Sequence, residues 1–143
     1  SNNDHRVVTF HDSCNVARGS NMGDIENGQF ILPREVIKAA CNNFIDMPKN
    51  TIKSSTFCCG GGAGLLTDDL IDLRIKGAKP RMHALRKSEQ ESGVNTLAAI
   101  CAICKSQFSK VLPNYDFDPY MVVSVHQLVS DAIVLSESLK QKD

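Results

Sequence analysis

Two adjacent cysteines followed by a run of glycines constrain this chain more than any other feature. The segment reads Phe57-Cys58-Cys59-Gly60-Gly61-Gly62-Ala63-Gly64. Glycine has no Cβ, so a backbone rich in it can approach a bound group closely. Residues 65–73 then predict the start of a helix, and the amides at a helix N-terminus favour negative charge. Because metal-bound thiolates carry such charge, the segment indicates a metal site.

Three further cysteines fit the same site. Cys14 lies upstream, and Cys101 and Cys104 form a C-x-x-C pair downstream. Four cysteines complete a tetrahedral zinc site or a cubane cluster. A fifth thiolate makes sense where some sulfurs bridge irons or where the cluster departs from a cube. The pattern favours an iron–sulfur centre, and its candidate residues are Cys14, Cys58, Cys59, Cys101 and Cys104, with Gly60 and Gly61 beside them.

Length and charge limit the class of protein. The 143 residues suit a single domain, 1–143, able to bury one core. Sixteen basic and sixteen acidic residues give no net charge, which argues against binding to nucleic acid or to an anionic membrane. No apolar run reaches the roughly 18 residues needed for direct membrane insertion. The polar first residues contain no signal peptide and no initiator methionine, so we expect a fragment of a larger iron–sulfur subunit.

Disulfide bonding is a weaker interpretation of the six cysteines. With 42% apolar residues the chain can build a core without cross-links, and the adjacent Cys58 and Cys59 would pair awkwardly. In a reducing compartment such a pattern is more typical of metal binding or redox chemistry, so we predict a cytoplasmic location. The sixth cysteine, Cys41, lies on the apolar face of a helix that begins near Pro33, and we interpret it as a small buried hydrophobe.

Short apolar runs alternate with helical patterns along the chain. Strands are predicted at residues 6–10, 51–57, 96–100 and 121–125. A loop is expected at 15–29, and helices are expected from Pro33, from Thr67 to about residue 85, across 102–111 and across 127–139. Gly77 and Pro80 should kink or divide the second helix, and residues 88–93 should form a polar connector.

The alternation predicts an α/β fold: a three-layer Rossmann-like domain with a four-stranded parallel sheet in the order 2-1-3-4. Ligands on such sheets bind beyond the carboxyl ends of the strands. Cys14, the Cys58–Cys59 pair and Cys101 each follow a predicted strand. We therefore expect these cysteines to meet at one edge of the sheet.

Several other residues near the motifs have two interpretations each. The glycine run could cradle a phosphate or a flavin, but neither GxGxxG nor GK[ST] occurs. His11 could donate a proton to a departing thiol, or His11 and Asp12 could position the Cys14 loop by hydrogen bonding. Arg18 could neutralise thiolate charge or face water. His126 is a weaker candidate proton donor.

The sequence resembles the CCG, or cysteine-rich, domain of heterodisulfide reductases and their relatives over nearly its whole length. The motifs that carry the resemblance are Thr9-Phe10-His11-Asp12-Ser13-Cys14, Pro33-Arg34-Glu35, Cys58-Cys59-Gly60-Gly61-Gly62 and Cys101-Ala102-Ile103-Cys104. Residues 67–81 are similar to the K subunits of membrane complexes linked to dissimilatory sulfite reductase. Two positions depart from the family pattern: Ser13 and Ala102 stand where proline is common, which affects loop shape and cluster potential without removing a ligand.

The resemblance implies a specific chemistry. Family members hold an unusual [4Fe–4S] centre, which we expect to be non-cubane, on the five motif cysteines, and they reduce a disulfide. The implied substrate is a disulfide or trisulfide on a small sulfur-carrier protein in dissimilatory sulfur metabolism. Electrons would come from other subunits of a membrane-bound redox complex, and the chain would be cytoplasmic and membrane-associated through those subunits.

Two alternatives to disulfide reduction stay open. One is an electron-relay module of another oxidoreductase, of the glycolate, lactate, glycerol-3-phosphate or succinate type. The other is a structural zinc domain or a metal-free dithiol protein. Metal analysis separates the second alternative from the iron–sulfur interpretations.

Overall fold

The computed structural model describes residues 2–62 and 65–134. Its centre is a parallel sheet of three strands, β1 (Val8–His11), β2 (Thr96–Ala99) and β3 (Val122–Ser124), in the spatial order β1-β2-β3. Phe10 pairs with Ala98, and Ala98 pairs with Val123, so the strands are aligned without a stagger. Strand residues are buried on both faces, as expected for a parallel sheet covered by helices.

Four α-helices lie in the described part of the chain. They are α1 (Leu32–Ala40), α2 (Ile71–Ser92), α3 (Ala102–Val111) and α4 (Val125–Ala132). A π-helical turn spans Cys14–Gly19, and short 3₁₀ turns span Lys49–Thr51, Lys53–Ser55, Asp68–Leu70, Leu112–Tyr115 and Pro119–Met121. Within residues 2–62 and 65–134, the structure contains no helix with the length and apolarity that a membrane crossing requires.

Two hydrophobic clusters lie on opposite faces of the sheet. Alternate residues of a strand point to opposite faces, so Leu97 and Ala98 belong to different clusters. The cluster under α1 and α4 includes Val8, Phe10, Ile37, Val123 and Leu128. The cluster under α2 and α3 includes Met82, Leu85, Leu97, Phe108 and Val122. The α/β class with helices on both faces of a parallel sheet is confirmed.

The strand predicted at residues 51–57 does not form. The segment makes two 3₁₀ turns, and Lys53 has a positive φ of 53°. Its polar groups bond to side chains and loops: the Lys53 N–H donates to Asp12 Oδ2 at 2.7 Å, and Thr56 Oγ1 donates to the Asp12 carbonyl at 2.8 Å. The four-stranded sheet is therefore wrong in its strand count, whereas the relative order of the other three strands agrees with the prediction.

In place of a fourth strand, the edge of the sheet beside β1 has a single backbone bridge. Val8 forms an isolated parallel bridge with Phe44, and the Ile45 N–H donates to the Val8 carbonyl at 2.9 Å. The segment around Phe44 thus pairs with the backbone of β1 at one point and then leaves the sheet.

Helix α2 also differs from the prediction. It runs through Gly77 and Pro80 as one helix of 22 residues, and it takes in most of the predicted connector before ending at Gly93. It begins only after the 3₁₀ turn Asp68–Leu70, so it does not directly follow the glycine run. The helix predicted at 127–139 is observed as Val125–Ala132, and its predicted residues 135–139 lie outside the described part of the chain.

Candidate metal centre

All five predicted cysteines line one cavity of about 300 Å³ beyond the ends of β1 and β2. Among the described residues, neither a carboxylate nor an imidazole contributes to its wall. The lining residues are Ser13, Cys14, Asn15, Cys58, Cys59, Gly61, Gly62, Cys101, Ile103 and Cys104. The structure thus brings the cysteines of three separate segments together, as the sequence predicts.

Two of these segments follow neighbouring parallel strands. Cys14 begins the turn after β1, and the Ser13 hydroxyl accepts a hydrogen bond from the Val16 N–H at 3.2 Å within that turn. Cys101 follows β2 as the N-cap residue of α3, and Cys104 lies in the first turn of that helix. Since β1 and β2 are adjacent and parallel, their carboxyl ends deliver both segments to the same edge.

The Cys58–Cys59 pair is delivered by a loop that is fastened to the Cys14 turn. Arg18 donates hydrogen bonds to the carbonyls of Ser54 and Thr56, both at 3.2 Å. Arg18 does not line the cavity, and its side chain is exposed to water while it makes these two bonds. It cross-links the two cysteine-bearing segments.

Glycine is required where this loop packs against α2. Gly60 has a φ of +91°, and a Cβ on it would lie 2.4 Å from the Arg74 carbonyl oxygen. A Cβ on Gly77 would lie 3.3 Å from the Cα of Gly60, so the glycine of the helix also serves this contact. The close approach explains why Gly77 occurs within an uninterrupted helix.

The two predicted cofactor glycines have different positions. Gly61 lines the cavity, and its N–H donates to Cys59 Sγ at 3.4 Å. Gly60 is not a lining residue, but its N–H donates to Cys58 Sγ at 3.2 Å. Hydrogen bonds of this kind favour the charged form of a thiol.

The thiols differ in exposure from the mouth of the cavity inward. Cys58 is exposed, Cys14 and Cys101 are half-buried, and Cys59 and Cys104 are buried. A hydrogen bond with the Cys104 thiol, together with burial, raises the pKa of Cys59 to about 12. The pKa of Cys58 is also raised, mainly by a hydrogen bond with Cys59 and to a smaller extent by burial.

Cys101 is shifted in the opposite direction. Burial alone would raise the pKa of its thiol, but hydrogen bonds from the backbone N–H groups of Cys104 and Ile103 outweigh burial and lower that pKa. These amides belong to the first turn of α3. The helix N-terminus that touches the thiols is therefore that of α3, and not the one predicted directly after the glycine run.

The thiols surround a volume and do not converge on one point. Among residues 2–62 and 65–134, no group of three or more His, Cys, Asp or Glu side chains has the geometry of a site for a single metal ion. A structural zinc site needs four ligands in a tetrahedron about one ion. Five thiols on the wall of a cavity fit a polynuclear iron–sulfur cluster better, because such clusters take thiolate ligands on several irons.

His11 does not line the cavity. Its ring is 1% exposed and packs edge-on against Phe108, with 4.8 Å between ring centroids. Within the described residues its Nδ1 has no hydrogen-bond partner. The pKa of His11 lies well below its usual value, mainly because the ring is buried and also because Arg81 is positively charged. The ring is therefore uncharged at neutral pH, and its role as a proton donor stays a prediction.

The remaining candidates have structural surroundings. Asp12 is buried and accepts two hydrogen bonds from Arg34, both at 2.7 Å. Cys41 is buried, as interpreted from the sequence, and lies outside the cysteine cavity. His126 lines a separate apolar groove between α1 and α4.

Three arginines around the site are buried, which the sequence pattern did not predict: Arg34, Arg74 and Arg81. Arg74 donates to Gln107 Oε1 at 2.8 Å, and the Gln107 amide donates back to the Arg74 carbonyl at 3.3 Å. A signal was present, because Arg74 and Arg81 fall on the same helical stripe as the apolar Ala78 and Leu85.

Comparison with known proteins finds relatives whose names describe iron–sulfur subunits and a ferredoxin. It is 46% identical over 136 residues to the "Hdr-like menaquinol oxidoreductase iron-sulfur subunit 2" of Archaeoglobus fulgidus. It is 43% identical over 136 residues to the "Hdr-like menaquinol oxidoreductase iron-sulfur subunit" of Archaeoglobus profundus. Each alignment covers 95% of this chain and 23% of the relative. It is 25% identical over 127 residues to the "Probable membrane-anchored ferredoxin" of Chromohalobacter salexigens, covering 88% of this chain and 17% of that protein.

The chain thus spans about a quarter of the length of the two archaeal relatives. No solved structure matches it. The family model of the cysteine-rich domain, CCG, matches residues 8–109, a range that includes all five cysteines of the cavity. On this match the chain belongs to the CCG cysteine-rich domain family.

Proposed function

We propose that this chain is an iron–sulfur domain that transfers electrons within an oxidoreductase complex. The observation that carries the proposal is the single cavity lined by five thiols and by no carboxylate of the described residues. The names of the two archaeal relatives, both iron–sulfur subunits of a menaquinol oxidoreductase, support it. When bound, the centre would supply single electrons at a potential set by its charge, hydrogen bonds and exposure.

The chain's own residues would divide the work of holding the centre. Cys59 and Cys104 would anchor its buried side, where water is excluded. Cys58 would hold the exposed side, through which an electron donor or acceptor can approach. The amides of Gly60 and Gly61 donate to two of the sulfurs and so favour their charged form.

A finer proposal concerns the cluster and the reaction. We propose a non-cubane [4Fe–4S] centre, because five thiolates exceed the four that a cubane needs. The proposed reaction is heterodisulfide reductase-like: reduction of a disulfide or trisulfide on a small sulfur-carrier protein, in sulfur metabolism of the kind linked to dissimilatory sulfite reductase. The exposed Cys58 at the mouth supports access for such a substrate, and the "Hdr-like" names of the relatives support the reaction type.

The proposed setting is a membrane-bound redox complex. We propose that other subunits deliver the electrons and that the chain, on the cytoplasmic side, associates with the membrane through them. The names of the relatives, which include a menaquinol oxidoreductase and a membrane-anchored ferredoxin, support this setting. The same names also favour the second candidate function, a pure electron relay.

Metal analysis tests the iron–sulfur proposal. After anaerobic reconstitution we expect about four irons and four sulfides per chain, the content of a [4Fe–4S] cluster. Replacing any one of the five cavity cysteines by serine should reduce the iron content or change the spectrum of the centre. Cys41→Ser is the matched control, because Cys41 is a buried thiol outside the cavity. Stoichiometric zinc without iron uptake would refute the proposal.

A spectroscopic experiment separates disulfide reduction from relay. The reconstituted chain is reduced and then oxidised with and without a thiol of the candidate carrier. If the centre reacts with sulfur substrates, a new paramagnetic signal should develop only when the thiol is present. Identical spectra under both conditions would establish the relay and reject disulfide reduction.

We also propose that His11 donates a proton to the departing thiol, a role for which its ring, uncharged at neutral pH, must first take up a proton. His11→Gln removes the titratable ring and keeps a polar side chain in the buried site. If His11 is the donor, disulfide turnover should fall while iron content stays at the wild-type value. A variant that turns over at the wild-type rate would exclude this role, and loss of iron would assign His11 to structure.

A further inference from the structure

Arg81 is a fully buried cation that lacks a carboxylate partner among the described residues. Its exposure is 0%, and its Nη1 donates to Met47 Sδ at 3.0 Å. Its Nη2 donates to the Thr51 carbonyl and, at 3.1 Å, to Thr56 Oγ1. The Nε of Arg81 has no partner within the described residues. Burying a charge in this way is costly unless another charge compensates it.

The other two buried arginines around the site are neutralised differently. Arg34 lies between two carboxylates, at 2.7 Å from Asp12 and 2.8 Å from Asp46. Arg74 bonds to the side chain of Gln107 and lies 3.6 Å from Asp68. Arg34 donates to both carboxylate oxygens of the buried Asp12, and within the described residues Asp12 forms no salt bridge with Arg81.

This charge lies against the loop that carries Cys58 and Cys59. The guanidinium stacks over the ring of Phe57, with 5.6 Å to its centroid, and bonds to Thr56, the two residues that precede Cys58. Burial lowers the pKa of Arg81 to about 10, while electrostatic interaction with Asp12, Cys104 and Cys59 opposes that shift. Because this pKa lies well above 7, Arg81 remains charged at neutral pH beneath the cysteine-bearing loop.

We propose that Arg81 supplies a fixed positive charge that compensates the thiolates of the centre and raises its reduction potential. The inference rests on the proposed iron–sulfur function. Reduction adds one negative charge to the centre, and a nearby buried cation stabilises the more negative state because water screens the interaction weakly there. Arg81 acts on the centre through space and is a positioning and tuning residue, not a ligand.

The test compares reduction potentials of reconstituted variants by redox titration. Arg81→Gln removes the charge and keeps a hydrogen-bonding side chain, and we expect the one-electron reduction equilibrium to fall about tenfold, or 59 mV. Arg86→Gln is the matched control. Arg86 lies on the same helix, 3.9 Å over the ring of Phe117, and donates to the Tyr115 carbonyl at 2.6 Å. It is paired with Glu89 and does not line the cavity. Its loss should leave the potential unchanged.

The outcomes separate this inference from the proposed function. If the wild-type chain takes up no iron, the proposed function fails and the inference fails with it. If Arg81→Gln loads a cluster with the wild-type potential, or if Arg86→Gln shows an equal shift, the inference alone is overturned. Should Arg81→Gln fold without loading a cluster, or fail to fold, Arg81→Lys decides. A loaded Arg81→Lys centre with a potential close to the wild-type value supports a role of charge, and an empty one overturns it.

Discussion

At the scale of single residues, His11 is a buried imidazole that folding keeps uncharged. It ends β1, packs on Phe108 from α3, and lies near the guanidinium of Arg81 from α2. Asp12 is adjacent in the chain, but its carboxylate is held by Arg34 and by the Lys53 N–H. The surroundings of His11 thus contain a nearby cation and disfavour a second positive charge.

Stability of the metal-free chain should therefore decrease in mild acid through His11. The folded-state pKa of His11 lies well below the unfolded value of about 6.5, so below pH 6.5 the unfolded chain binds more protons and the free energy of unfolding falls. The slope is up to about 1.4 kcal/mol per pH unit. In urea unfolding at pH 7.5 and 5.5, wild type should lose roughly 1 kcal/mol more than His11→Gln. Equal losses in both proteins would contradict a buried neutral ring.

The residue scale also shows what the sequence can predict. The five cysteines are recognisable because few roles other than metal or redox chemistry combine thiols at such spacings. The buried arginines are not recognisable, because charged side chains are usually on the surface and a single sequence does not reveal which of them are buried. Arg81 is fully buried only because loop 51–57 folds over it, and that packing depends on the whole domain.

At the scale of elements, the site depends on how closely the cysteine loop packs on α2. Gly60 combines a φ of +91° with two backbone atoms of α2, the Arg74 oxygen and the Ala78 nitrogen, within 2.8 Å of an added Cβ. Backbone contacts of this kind cannot relax by a rotamer change. The loop, and with it Cys59, must move if a side chain is introduced.

Gly60→Ala should therefore destabilise the chain and disturb the centre. We expect a loss of at least about 2 kcal/mol in the free energy of unfolding, from left-handed strain and backbone overlap together. Gly93→Ala is the matched control: Gly93 also has a positive φ, 69°, but an added Cβ there meets nothing within 4 Å. Its cost should be only about 1 kcal/mol, with normal iron content. Equal costs for both variants in urea unfolding would contradict the packing argument.

The ion pair that fastens α1 to the site is a second determinant at this scale. Arg34 on α1 is 4% exposed and joins Asp12 to Asp46, whereas the Lys38–Glu35 pair on the same helix is exposed. Removing one partner of a buried pair leaves an uncompensated charge, so Arg34→Met should cost about 3–5 kcal/mol. Lys38→Met should cost less than about 1 kcal/mol. Chemical denaturation of both variants measures the difference, and similar costs would show that burial does not govern these pairs.

Among the elements, three of the four predicted strands form, and the strand predicted at residues 51–57 does not. The strands at β1, β2 and β3 are short apolar runs whose backbones pair with one another. Residues 51–57 have a similar composition at their ends, but Lys53, Ser54 and Ser55 favour turns. Backbone groups of the 51–57 segment instead form hydrogen bonds with the side chains of Asp12, Arg18 and Arg81, which are far away in sequence. Local pattern cannot foresee such long-range bonding.

At the scale of the whole molecule, only one of the two hydrophobic clusters is independent of the site. The cluster under α1 and α4 contains none of the five cavity cysteines, and the cluster under α2 and α3 contains only the inner ones and Cys101 at its margin. We expect the two hydrophobic clusters to keep helices on both faces of the sheet whether or not an iron–sulfur cluster is bound. This differs from small zinc domains, in which binding of the metal supplies most of the folding free energy.

Removal of the cluster should accordingly loosen the site without unfolding the domain. A ligand that binds only the folded state adds to its stability, so the chain should unfold at a lower temperature after anaerobic chelation of iron. Far-UV circular dichroism should nevertheless remain close to that of the loaded protein. In hydrogen exchange, protection should fall in the turn Cys14–Gly19 and in the loop around Cys59, while β2 stays protected because both of its faces are buried. If β2 lost protection as fast as the Cys14–Gly19 turn and the loop around Cys59, the iron–sulfur centre, and not the two hydrophobic clusters, would hold the fold together.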